Sequence, residues 1–145
     1  MTGTMTFDSP QTQCLAYRLK RASRAINRAY DAALAPYDLK ITQFSLLAAL
    51  ASAGPMPITR MADALGLDRT TLSRTFRPLE RRGLISVQRD TGRRRLLLLT
   101  PAGQSVYADA KTAWAAAQQD AYDRLGPDLW HDLHSLLPAV DRVAR

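Results

Sequence analysis

The chain has 145 residues, of which 46% are hydrophobic, enough to build a packed core and too many for a disordered polymer. Its net charge of +7 asks for an acidic partner, with nucleic acid first among the candidates. A membrane span is excluded because no apolar run approaches about 18 residues, and the single cysteine, Cys14, excludes an intrachain disulfide.

The first residues lack the charged and then apolar pattern of a secretory signal. With one thiol, that points to the reducing cytoplasm. Residues 1–10 are polar, end in Pro10 and read as a flexible tail, leaving 11–145 as a single domain. From Leu15 to Ala33, apolar residues recur every three or four positions (Leu15, Leu19, Ala22, Ile26, Tyr30), one stripe of an amphipathic helix. Arg18, Arg21, Arg24 and Arg28 mark another face, a solvated or dimer-facing surface. Pro36 should stop this helix near Ala35. Thr42 is the expected cap of a second helix, apolar almost all round (Phe44, Leu46, Leu47, Leu50) and therefore buried, closed by Gly54.

The positive charge then becomes local. Residues 58–100 hold ten Lys/Arg against four Asp/Glu, so nearly all the net charge lies in under a third of the chain. Thr59 is expected to cap a short helix ending at Leu65, and Gly66 makes the turn. Asp68 should cap the next helix by accepting from the amide of Thr70 or Thr71. That helix, Arg69 to Arg82, keeps Leu72, Phe76 and Leu79 inward, and Pro78 should bend it. Its polar side carries Thr70, Thr71, Ser73, Arg74 and Arg77. After Gly83, two β-compatible runs flank Asp90-Thr91-Gly92, a hairpin whose tip is lined by Arg89, Arg93, Arg94 and Arg95. Thr100 with Pro101 opens a long helix to about Leu125, Gly126-Pro127 breaks it, and a last amphipathic helix follows.

Helix, turn, helix and arginine-tipped hairpin form a winged helix-turn-helix pattern. Short hydroxyls near a helix start suit base edges, and long arginines reach bases or phosphates. A basic hairpin suits a narrow minor groove. The candidate DNA-binding residues are Thr59, Arg69, Thr70, Thr71, Ser73, Arg74, Arg77, Arg89, Arg93 and Arg94.

The segments TQFSLL (42–47), LDRTTLSRTFRPLERRGLI (67–85) and RRRLLLLTPAG (93–103) resemble the MarR family of bacterial transcriptional regulators. The resemblance spans about residues 12–144. It implies a mainly α fold with a small β-wing: a winged lobe (42–100) on a helical dimerisation body (11–36 and 101–145). It also implies a homodimer on double-stranded DNA with a pseudo-palindromic site, acting as a repressor and released by a small-molecule or oxidant signal. The family's wing motif is shortened here to RDTGRRR. Arg93 and Arg94 become the candidates for the minor groove, and Asp68 or Asp90 the acid that pairs with a wing arginine. The family's ligand pocket lies between lobe and body, where Cys14, Tyr17, Arg21, Tyr37 and Phe44 would offer aromatic walls and a cation to a small aromatic or phenolic ligand.

Two other readings stand beside these. Cys14, near a helix start and close to Arg18, is a candidate redox thiol in a family with a peroxide-sensing branch. A winged helix can also serve as a protein-interaction module. His131 and His134 are one turn apart on an ordinary amphipathic helix, without further ligands for a metal. No phosphate loop, nucleophile elbow or zinc-protease motif is present. No enzyme activity, cofactor, metal or membrane association is expected.

Overall fold

The computed structural model describes Ser9 and residues 13–144. The expected flexible tail, residues 1–10, lies outside the described residues apart from Ser9. The chain forms α1 (Leu15–Leu34), a 3₁₀ turn (Ala35–Tyr37), α2 (Ile41–Ala53), β1 (Met56–Pro57), α3 (Ile58–Leu65), α4 (Arg69–Arg81), β2 (Ile85–Arg89), β3 (Arg95–Leu99), α5 (Pro101–Leu125), α6 (Pro127–Val140) and a closing 3₁₀ turn (Asp141–Ala144). The mainly α architecture with a β-wing is as the sequence indicates.

The lobe is built around α2, whose Phe44, Leu46, Leu47 and Leu50 are buried. Met61 and Ala62 of α3, the Leu72–Phe76–Leu79 face of α4 and Leu97 of β3 close on it. The sheet is antiparallel in the order β1-β3-β2. Its third strand, β1, pairs Met56 with Leu97 and Pro57 with Leu96, where the sequence indicates only a helix end. A strand of two residues, one of them a proline, carries no period-two signal.

Two expected caps are displaced. The second helix begins at Ile41 rather than behind Thr42, because Asp31 Oδ1 accepts from the Ile41 amide at 2.7 Å and Gln43 Oε1 from Lys40 at 2.9 Å. The helix at Thr59 begins at Ile58 after Pro57, whose extended backbone serves as the N-cap, so Thr59 sits within the first turn.

The body is α1, α5 and α6. Phe44 joins lobe to body: its ring packs on Tyr107 (5.4 Å between centroids) and Trp114 (5.8 Å) of α5. Tyr30 of α1 donates its hydroxyl to Gln118 of α5. Burial pushes the Tyr30 phenol pKa up. Of the long α1 stripe, only the C-terminal part is covered: Tyr30 and Leu34 are buried, while Leu15 and Ile26 remain 57% and 43% exposed. Helix α6 buries none of its residues; Leu129, Leu136 and Leu137 face outward. The exposed large hydrophobics among the described residues all lie on α1, α6 and the closing turn. No described helix is long and apolar enough to cross a membrane.

Candidate nucleic-acid interface

The turn between α3 and α4 closes locally. Gly66 adopts a left-handed conformation (φ 63°), and the Leu67 amide donates to Ala62 O at 2.9 Å. Asp68 then starts α4 as the sequence indicates. Its carboxylate accepts from the Thr71 amide at 2.8 Å and from the Thr71 hydroxyl at 2.7 Å. These bonds, the hydroxyl's first, hold the Asp68 carboxyl below its ordinary pKa. They also commit the Thr71 hydroxyl proton to the cap, leaving that group only as an acceptor. Thr70, Arg74 and Arg77 are exposed on the same helix, and Ser73 is half-buried. Pro78 lies inside α4, which continues to Arg81.

The wing strands pair from Ile85–Leu99 to Arg89–Arg95, so the tip is a five-residue loop rather than the tight turn expected at 90–92. Asp90 organises it. Its Oδ1 accepts from the amides of Gly92 (2.8 Å) and Arg94 (3.0 Å), and its own amide donates to Arg94 O at 2.9 Å. This is an Asx-type turn extended by one further bond. Arg93 takes a left-handed conformation (φ 67°), so Arg93 and Arg94 belong to the loop and do not alternate as strand residues would. Neither expected acid pairs with a wing arginine: Asp68 is occupied by Thr71, and Asp90 by backbone amides.

A cleft of about 400 Å³ opens between the start of α3, the polar face of α4 and the wing. Thr59, Arg69 and Ser73 meet Arg93, Arg94 and Arg95 there, with Phe76 beneath. No carboxylate is among the lining side chains. Four guanidiniums facing one space without an acid repel one another, and a polyanion is what such a space accepts. Arg95, opposite Arg89 across the wing, is absent from the candidate DNA-binding residues read from the sequence. Its place as the first strand residue after the loop is the signal that could have found it. Arg74, Arg77 and Arg89 are exposed outside the cleft.

The proposed ligand residues are not brought together in the same way. Phe44 is committed to the Tyr107–Trp114 cluster, Tyr37 is half-buried in the 3₁₀ turn, and Cys14, Tyr17 and Arg21 are exposed on or beside α1. Cys14 is a free thiol at the N-cap position of α1. His134 lies with its ring 4.5 Å from that of Trp130 and its Nδ1 2.8 Å from the Trp130 carbonyl oxygen. Among the described residues, no three metal-ligating side chains cluster.

The MarR family model matches residues 39–97, the span that holds α2, α3, α4 and most of the wing. Solved structures extend the likeness over nearly the whole chain. The M. tuberculosis transcriptional regulator MosR is 32% identical, with 90% of this chain and 98% of that one covered and a TM-score of 0.77. The chain belongs to the MarR family of DNA-binding transcriptional regulators. Among other MarR-like structures, the transcriptional repressor CouR bound to a 23-mer DNA duplex is 30% identical, covering 96% of this chain and all of that one at a TM-score of 0.79. CouR bound to p-coumaroyl-CoA is 28% identical, covering 96% and 99% at a TM-score of 0.82. No curated protein sequence matches the chain.

Proposed function

We propose that the chain is a cytoplasmic homodimeric repressor, without catalytic activity, that reads a pseudo-palindromic duplex and is released by a small aromatic ligand. The observation that carries the DNA-reading roles is the acid-free arginine cleft between the Asp68-capped helix and the wing. In this reading α4 enters the major groove, with Thr70, Arg74 and Arg77 toward base edges and phosphates. Arg93, Arg94 and Arg95 hold the backbone or the adjacent minor groove. Thr59 offers its hydroxyl, and the α3 N-terminus its amides, to a phosphate.

The outward apolar faces of α1 and α6 support a dimer, since one lobe cannot cover them. Paired recognition helices then stand about one duplex turn, roughly 34 Å, apart. The complex of CouR with an aromatic acyl thioester supports an aromatic signal. Tyr37, Tyr17, Arg21 and Cys14 are the residues offered to it here.

The test is selection of duplexes from a random pool, followed by fluorescence anisotropy at several salt concentrations, with aromatic carboxylates and their thioesters added. Preference for a two-fold site over a scrambled duplex at physiological salt, weakened by one of these compounds, is the expected result. Equal affinity for selected and scrambled DNA removes the DNA-reading roles. A monomer by light scattering at micromolar concentration removes the paired site.

A further inference from the structure

The most basic stretch of the chain contains one arginine whose guanidinium is already engaged by the protein. Arg82 is the C-cap of α4, and its side chain is only 31% exposed. Its fork is spent on two backbone carbonyls of the corner between α1 and α2: Nη1 donates to Asp38 O at 2.5 Å and Nη2 to Tyr37 O at 3.0 Å. The Asp38 carboxylate stands 3.6 Å from Nη1 but is 91% exposed, so water screens that attraction. The carbonyls carry the contact.

That corner is stiff. The Asp38 amide donates to Ala35 O, and Asp38 itself sits in a left-handed conformation (φ 51°). Leu34 and Leu39 on either side are buried. Asp31 Oδ1 fixes the Ile41 amide at 2.7 Å. The carbonyls that face Arg82 belong to Tyr37, the last residue of the 3₁₀ turn, and to Asp38, its C-cap, where carbonyls left without a partner in the turn favour a cationic donor. The contact thus ties the end of the recognition helix to the point where α1 leaves for the body, across 44 and 45 residues of sequence.

We propose that Arg82 is a positioning residue for DNA reading, which sets the angle of α4 to the body by gripping the Tyr37–Asp38 carbonyls and touches no DNA itself. The inference rests on the DNA-reading role of α4 above. A planar fork presents two donors in fixed geometry to two carbonyls, whereas a lysine ammonium must reach both from one nitrogen on a flexible stem and holds them less rigidly. Without the grip, α4 keeps its own cap and core face, but its C-terminal end is free to swing. The half-sites of a two-fold operator are then met at a range of spacings.

The test uses Arg82→Ala, Arg82→Lys and Asp38→Asn in the full chain, with circular dichroism and thermal melts to establish that each is folded. Should Arg82→Ala not fold, Arg82→Gln, which can still donate to one carbonyl, takes its place. Arg82→Ala is expected to weaken binding to a selected duplex by roughly tenfold or more. It should also discriminate less than wild type between duplexes with half-sites shifted by one base pair. The slope of log K against log salt should stay at the wild-type value, Arg82→Lys should recover only part of the affinity, and Asp38→Asn should match wild type. A slope lower by about 0.9 in Arg82→Ala means that Arg82 held a phosphate and overturns the proposal. Unchanged affinity and spacing discrimination overturn it too, as does full recovery by lysine. If the wild-type chain itself prefers no duplex, the DNA-reading roles fail instead.

Discussion

Replacing Gly103 by alanine sets two effects of opposite sign against each other. Gly103 lies in the first turn of α5, where alanine is the better helix former by up to about 1 kcal/mol. A Cβ built there, however, meets Leu84 O at 1.9 Å, Leu99 Cδ1 at 2.8 Å and the Leu84 carbonyl carbon at 2.9 Å. Carbon and oxygen ordinarily approach to about 3.3–3.6 Å, so α5 must retreat from Leu84 by about 1.5 Å. The obstacle is backbone, and that backbone is fixed: the Leu84 amide donates to Leu79 O, and Leu84 O accepts from Thr100. The Thr100 hydroxyl donates to Gly83 O at 2.6 Å and accepts from the Gly103 amide at 3.0 Å, so a retreat breaks the α5 cap as well. Overpacking of about 1–3 kcal/mol, with about 1 kcal/mol for the damaged cap, outweighs the propensity gain. Gly103→Ala should therefore be less stable by about 1–3 kcal/mol in urea unfolding. It should also bind DNA more weakly while folded, because Leu84 joins the recognition helix to the wing. A variant as stable as wild type, or more so, would refute the steric argument.

Arg74→Ala should weaken specific binding by about 1–3 kcal/mol in fluorescence anisotropy, and equal affinity would remove Arg74 from the reading face. Replacing Arg93 and Arg94 together by alanine should lower the salt slope by about 0.9 for each phosphate no longer neutralised, with folding preserved; an unchanged slope and affinity would mean that the wing does not touch DNA. Asp68 supplies a pH test. Its folded pKa is depressed below the ordinary value of 3.8, so the stability it contributes is present at neutral pH and disappears as pH falls through the folded value. Asp68→Asn keeps an acceptor for the cap without the titration, and should lose less stability than wild type on acidification below about pH 4. Parallel acid-unfolding curves for the two proteins would contradict this.

The features legible in the sequence are those whose partners lie within a few residues. Asp68 caps three positions ahead, Thr100 with Pro101 does the same, and Gly66 and Gly126 end their helices in conformations with positive φ that glycine adopts without strain. The features that escape it depend on distant atoms. The start of α2 is set by Asp31, ten residues upstream of Ile41, so the nearby Thr42 misleads by two positions: the N-cap is Lys40. Arg82 reads as one more charge in a basic run, and only folding brings the Tyr37 and Asp38 carbonyls to it. The wing residues RDTGRRR suggest a tight turn because Gly92 is the visible turn former. The Asp90 carboxylate also captures the Arg94 amide and enlarges the loop to five residues. Phe44 suits a pocket wall by residue type, but Tyr107 and Trp114, far along the chain, claim its ring.

The placement of the core bears on how the protein is made. The core cluster runs from Leu34 to Leu97, with Ala110 beyond it, whereas the outward face of α1 is translated first and that of α6 last. At roughly 5–20 residues per second, the ribosome needs a few seconds to add the segment beyond Thr100. By the end of β3 nearly all of the lobe's packing partners have been synthesised, while only one of the two outward apolar faces has been. In the proposed dimer, pairing of these faces would therefore come after synthesis of α6, later than that of the proposed DNA-reading surface.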